Sequence, residues 1–104
     1  MQTTITARHC EITDALQERA LEVTARLAEL SPHALECTVV FDAEGLLNRV
    51  EIRLHARRRK VLVGVGEGPD HRTALDRAEE KLRPQLLRAG RSRGGARRTP
   101  IRDA

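Results

Sequence analysis

Two cysteines, four histidines, a glycine-rich run and a surplus of arginine are the residues of this chain that could do chemistry. Cys10 and Cys37 stand in no metal-ligand spacing. His9, His33, His55 and His71 never recur at the one-turn interval that puts two imidazoles on one helix face. A zinc site from His9, Cys10 and Cys37 is imaginable, but no spacing supports it. Cys10 as a nucleophile with His9 or His71 as its base would need an orienting acid and a pocket, which a small two-layer domain hardly offers. Gly64-Val65-Gly66-Glu67-Gly68 lacks both the G-x-G-x-x-G frame and the Lys-Ser/Thr of a phosphate-binding loop, so it reads as a strand end and a loop. No catalytic residue, metal, cofactor or small-molecule substrate is expected. Both cysteines read as reduced thiols of a cytoplasmic protein.

Arginine is the stronger signal. The last seventeen residues hold Arg88, Arg91, Arg93, Arg97, Arg98 and Arg102 against Asp103, whereas the whole chain is only +4. The body is therefore close to neutral, with one internal basic cluster at Arg57-Arg58-Arg59-Lys60. Such clusters neutralise phosphates and release counterions, which gives salt-dependent affinity for nucleic acid. The tail taken alone fits a solvated surface equally well. Phe41 is the only aromatic residue, so base-stacking platforms are not expected. Recognition through phosphates and shape, by cations on a helix and adjoining loops, remains.

The elements that must position these cations follow from periodicity. A chain of 104 residues makes one domain with one core, and no apolar run is long enough to span a membrane. Gln2 to Arg8 alternates as a strand. Thr13 caps a helix whose apolar stripe is Leu16, Ala20, Val23, Leu27 and Leu30, and Ser31-Pro32 ends it. Cys37, Val39 and Phe41 alternate in a second strand that turns at Glu44-Gly45. Val50, Ile52, Leu54 and Ala56 face one way in a third, with Glu51, Arg53, His55 and Arg57 facing the other. That pattern fits an antiparallel sheet covered on one side. Val61 to Val65 is a fourth strand, and Gly66 to Pro69 reads as a loop. Asp70 or Thr73 caps a last helix with Leu75, Ala78, Leu82 and Leu86 as its stripe. Pro84 inside that helix predicts a kink or an early end. The fold class is α+β, in the order β-α-β-β-β-α: a four-stranded sheet with two helices on one face, as in double-stranded-RNA-binding domains. The β-α-β crossover is right-handed if its strands are parallel neighbours. Residues 1–89 form the domain, and 90–104 a disordered Arg/Gly-rich tail.

Two segments carry a family resemblance. The opening is Met1-Gln2-x-x-Ile5-Thr6-x-Arg8-His9-x-x-Ile12-Thr13-x-Ala15-Leu16, and the last helix holds Ala74-Leu75-Asp76, Lys81-Leu82 and Gln85-Leu86. In these the chain resembles the short form of the bacterial ribosome hibernation-promoting factors. These form the ribosome-associated inhibitor A group, also described as sigma-54 modulation protein-like. The resemblance covers roughly residues 1–88. It departs before the last helix, where His71-Arg72-Thr73 stand in place of the family's frequent aromatic or Met, and at Pro84. No counterpart is read here of the second domain with which the long form pairs two ribosomes.

The resemblance implies a partner and a mechanism. Such proteins dock against rRNA and ribosomal proteins in the neck-region channel of the small ribosomal subunit. They exclude mRNA and tRNA there and protect idle ribosomes when growth slows. By position, Lys81, Arg83 and Arg88 match the basic side of the last helix, and Arg8 and Arg26 match basic positions of the opening and first helix. Arg57, Arg58, Arg59 and Lys60 join them on charge, as do Arg77 on the last helix and Arg91 in the tail. Arg26 and Arg77 also fit a solvated helix surface. The protein is expected to be a monomer in isolation, with no membrane partner. A generic module for structured RNA, acting without ribosomes, is the alternative. A protein-interaction domain would need an apolar sheet face, against which Arg53, His55 and Arg57 argue.

Overall fold

The computed structural model describes residues 1–57 and 60–98, with side chains as far as Arg88. Its elements are β1 (Gln2–Arg8), α1 (Asp14–Leu30), β2 (Ala34–Glu44), β3 (Leu47–Ala56), β4 (Lys60–Gly68) and α2 (His71–Arg98). This is the expected α+β order. The sheet runs β1-β2-β3-β4, with β1 parallel to β2 and the remaining pairs antiparallel. Thr13 caps α1, its hydroxyl accepting from the Leu16 amide at 3.1 Å. Asp70 caps α2, its carboxylate accepting from the Thr73 amide at 2.7 Å, which decides between the two expected caps. That hydrogen bond holds the Asp70 carboxyl below its ordinary range.

One face of the sheet is covered. Cys37, Val39 and Phe41 of β2 and Val50, Ile52 and Leu54 of β3 are fully buried against Ala20, Val23 and Leu27 of α1 and Ala74, Leu75, Ala78 and Leu82 of α2. Each large aliphatic group contributes roughly 1.5–3 kcal/mol on burial, so this layer seats the helices. The Phe41 and His71 rings meet nearly perpendicular, with centroids 5.6 Å apart.

Two expectations are revised. The strand β4 continues to Gly68, through residues that read as a loop. Gly64 and Gly66 are buried because α2 lies directly on them: a Cβ at Gly66 would fall on the Ala74 carbonyl, and one at Gly64 on the Ala78 carbonyl. These glycines serve backbone approach rather than a turn. Second, α2 does not end early at Pro84. Pro84 is exposed, and the buried Leu82 and Leu86 on either side of it hold the helix to the sheet. Their burial offsets the roughly 3 kcal/mol that an interior proline costs. The helical backbone of α2 continues to Arg98. Extending an existing helix avoids the cost of nucleation. Residues 99–104 lie outside the described residues.

Direction matters for the site. α1 returns the chain from the end of β1 to the start of the parallel β2, and α2 runs back along β4. Both helices therefore point the same way, with their N-termini beside Asp42 and Gly68 and their C-terminal halves toward the β3–β4 turn.

Candidate nucleic-acid interface

The helical period divides the charges of α2 between two flanks. Asp76, Glu79 and Arg83 face α1. Arg77, Lys81 and Arg88 lie on the opposite flank, along the outer edge of β4. Pro84 stands on the exposed side between Arg83 and Arg88.

The α1 flank is a seam of paired charges. Glu79, almost buried, accepts two hydrogen bonds from Arg26, at 3.0 Å from Nε and 3.1 Å from Nη2, and a third from Arg83 at 3.3 Å. Burial works to raise the Glu79 carboxyl, but the bonds and charges of Arg26 and Arg83 outweigh it and hold the group below its ordinary range. The same bonds hold the Arg26 guanidinium above its ordinary value. Arg19 donates to Asp76 at 3.1 Å and lies 3.6 Å from Glu22. Two of the expected phosphate-binding residues, Arg26 and Arg83, are thus already engaged. A bidentate, partly buried pair of this kind fixes one helix against the other.

The β4 flank is different. Arg77 donates to the Glu67 carbonyl at 2.7 Å, and Gln85 to the Val63 carbonyl at 2.9 Å. These bonds lay α2 against the edge strand but leave the Arg77 charge without a carboxylate partner among the described residues. Lys81 and Arg88 are exposed and have no carboxylate within 4 Å among the described residues. Arg88 lines an open hollow on the exposed side of α2, with Glu80, Arg83 and Pro84. Arg57 and Lys60 likewise have no carboxylate partner among the described residues. Lys81, Arg88, Arg57 and Lys60 can offer whole positive charges to phosphates along one side of the fold. Arg58 and Arg59 lie outside the described residues, and Arg91 sits on helical backbone with its side chain outside them.

Arg8 is not on that side. It ends β1 on the uncovered sheet face, 3.5 Å from Asp42, which also binds His9 at 3.1 Å. The bond from His9, then those from the Ala43 amide and Arg8, hold the Asp42 carboxyl below its ordinary range. His9 has φ 59°, a left-handed conformation unusual for a side-chain-bearing residue, and the Asp42 contact fastens it there. His71 binds the Asp42 carbonyl at 2.9 Å, so Asp42 ties the ends of β1 and β2 to the start of α2.

The sequence reading does not single out Asp42, Arg19 or Glu79, and gives Asp76 no partner. For the seam, a signal was present: arginines at 19 and 26 of one helix and acids at 76 and 79 of the other, each on a single flank. Asp42 leaves no comparable pattern. Elsewhere, Cys37 is buried and its thiol pushed up to about 11, so it is uncharged near neutral pH. Among the described residues no cluster of His, Cys, Asp and Glu could hold a metal, and no helix is long and apolar enough to cross a membrane.

Comparison with known proteins places this geometry. No curated protein matches the chain. The structure is similar to the crystal structure of the Thermus thermophilus Protein Y N-terminal domain, with a TM-score of 0.75 and 29% identity over 86% of this chain and 99% of that one. It shares its fold with a ribosomal subunit interface protein from Coxiella burnetii, at a TM-score of 0.77 and 18% identity over 86% of this chain and 98% of that one. The profile of one family, described as Sigma 54 modulation protein / S30EA ribosomal protein, matches residues 3–93. With that match across most of its length, the chain belongs to the Sigma 54 modulation protein / S30EA ribosomal protein family.

Proposed function

We propose that this protein is a ribosome hibernation factor. It docks in the mRNA and tRNA channel of the small ribosomal subunit, blocks translation and protects idle ribosomes under stress or in stationary phase. It acts in the cytoplasm by occupying space, and no bond is made or broken. Family membership supports a ribosomal role. The observation that carries the reading is the row of cations without carboxylate partners, Lys81, Arg88, Arg57 and Lys60, on the side of α2 away from the charge-paired seam. Unpaired cations on a rigid helix and hairpin are what a phosphate backbone requires, and their affinity falls with salt.

Sedimentation with vacant bacterial ribosomes and separated subunits, at near-physiological salt, tests the proposal. Saturable one-to-one binding to small subunits, blocked by bound tRNA and mRNA, is the expected result. Binding to bare duplex RNA with no preference for the subunit would overturn it in favour of a generic structured-RNA module. No binding to either would overturn both.

A further inference from the structure

Pro84 changes the exposed side of α2 as well as its energetics. Proline has no amide hydrogen, so the helix bond that residue 84 would give to the Glu80 carbonyl is missing. Side chains of this stretch bond elsewhere: Arg83 to Glu79, and Gln85 to the carbonyls of Val63 and Lys81. None reaches the Glu80 carbonyl among the described residues. On the solvent side of a helix such a carbonyl tilts outward and seeks a donor.

The freed carbonyl borders an open hollow of about 470 Å³, lined by Glu79, Glu80, Arg83, Pro84, Leu87 and Arg88. The helical period sets Pro84 and Leu87 between Arg83 and Arg88. Pro84 is exposed and Leu87 is 42% exposed, so the floor is apolar and open to water. The Glu79 carboxylate is taken by Arg26 and Arg83. The exposed Glu80 carboxylate has no ion-pair partner among the described residues. The hollow thus combines an apolar floor, two acceptors on Glu80 and a guanidinium on either side. A bare phosphate would use only the cations, and an aliphatic side chain only the floor. A nucleotide uses all three. Proline and leucine serve as wedges against base faces. A guanidinium plane also stacks on a base, and the edge of an unpaired base is open to hydrogen bonds.

We propose that this hollow holds one unpaired base of an RNA, a guanine, with the adjoining phosphates on Arg88 and Lys81. Guanine suits the two acceptors because its Watson–Crick edge presents two N–H groups. The occupant belongs to a strand rather than to a free nucleotide, because Lys81, Arg57 and Lys60 continue the unpartnered cations beyond the hollow and one phosphate could not occupy them all. With Phe41 as the only aromatic, and buried, no stacking platform is read from the sequence. Here Pro84 and Leu87 supply the flat apolar surface that an aromatic ring would give. The inference rests on the reading that the partner is RNA and deepens it: α2 reads a base as well as the phosphate backbone.

Fluorescence anisotropy of the full chain with two RNAs tests it at matched salt. One is a duplex with a single bulged guanosine. The other is the same duplex with the base removed from the bulge, so that the phosphates are identical. The guanosine form should bind roughly tenfold more tightly. Pro84→Ala with Leu87→Ser returns the missing amide and removes the floor. This double variant should lose the preference for the base and keep the salt slope, because no charge is altered. Its melting temperature should not fall, since position 84 regains a helix bond and both side chains are exposed. Equal affinity of the parent chain for the two RNAs would overturn the proposal, as would a preference that survives in the double variant. GMP alone binding as tightly as the bulged duplex would overturn it too, by making the hollow a free-nucleotide site. Sedimentation with small subunits is scored separately. Subunit binding without a base preference sinks this inference and spares the ribosome reading, and a base preference without subunit binding does the reverse.

Discussion

On one flank of α2, Glu79 and Asp76 hold Arg26, Arg83 and Arg19. On the other, Arg77, Lys81 and Arg88 meet no carboxylate among the described residues. The side chains are of one type and sit within a few residues of one another. The difference lies in what each flank faces. The seam flank abuts a neighbouring helix, where burying an arginine without a partner would be costly, so acids are placed to receive it. The β4 flank opens past an edge strand into solvent, where a cation keeps its hydration until an anion arrives. A run of basic residues on a helix is therefore not one site. Here it is a structural clamp and a candidate phosphate surface, back to back.

Separating the two flanks from the sheet should have the largest effect. Gly66→Ala drives a Cβ into the Ala74 carbonyl, so α2 must lift from β4. A loss of about 4 kcal/mol is expected, read as a large drop in thermal midpoint. A midpoint within a few degrees of the parent chain would mean that α2 is less firmly seated than the glycine contacts indicate.

The next effect falls on binding alone. Lys81→Glu with Arg88→Glu should weaken small-subunit affinity by roughly a hundredfold and lower the salt slope by about 2, with the melting temperature unchanged. Arg26→Ala with Arg83→Ala should lower the salt slope by no more than about 1, because Glu79 already neutralises one of those two charges. If both double variants changed the slope equally, the contrast between the flanks would be lost.

The seam should answer in stability. Glu79→Ala leaves Arg26 and Arg83 without their acceptor and should cost about 2 kcal/mol, with ribosome affinity little changed. The smallest effect concerns pH. The Glu79, Asp42 and Asp70 carboxyls are all held below their ordinary values. Their contribution is therefore present above the ordinary carboxylate range and lost as pH falls through the depressed values. Stability should decline from about pH 5 to about pH 3. In Glu79→Gln part of that contribution is already missing, so its melting temperature should fall less steeply over the same interval.

Much of the architecture was legible from periodicity. The stripes Leu16-Ala20-Val23-Leu27-Leu30 and Leu75-Ala78-Leu82-Leu86 and the alternation in β2 and β3 each name a buried face, and those faces meet in one core. Here local pattern and burial express the same physics. Gly66 and Gly68 read as loop residues because a glycine that ends a strand and a glycine that admits a helix look alike in sequence. Pro84 reads as a kink or an early helix end because its cost is local, while the compensation from Leu82 and Leu86 depends on a sheet contributed by other segments.

The candidate site divides along the same line. The sequence by itself determined the element order, the apolar faces, the family and the presence of cations on the last helix. Which cations remain free for a partner was decided only when α1, β4 and α2 came together. Charge type is a property of a residue, but its availability depends on its neighbours: Arg83 shares Glu79 with an arginine more than fifty positions away, and Lys81, two residues earlier in the chain, faces water.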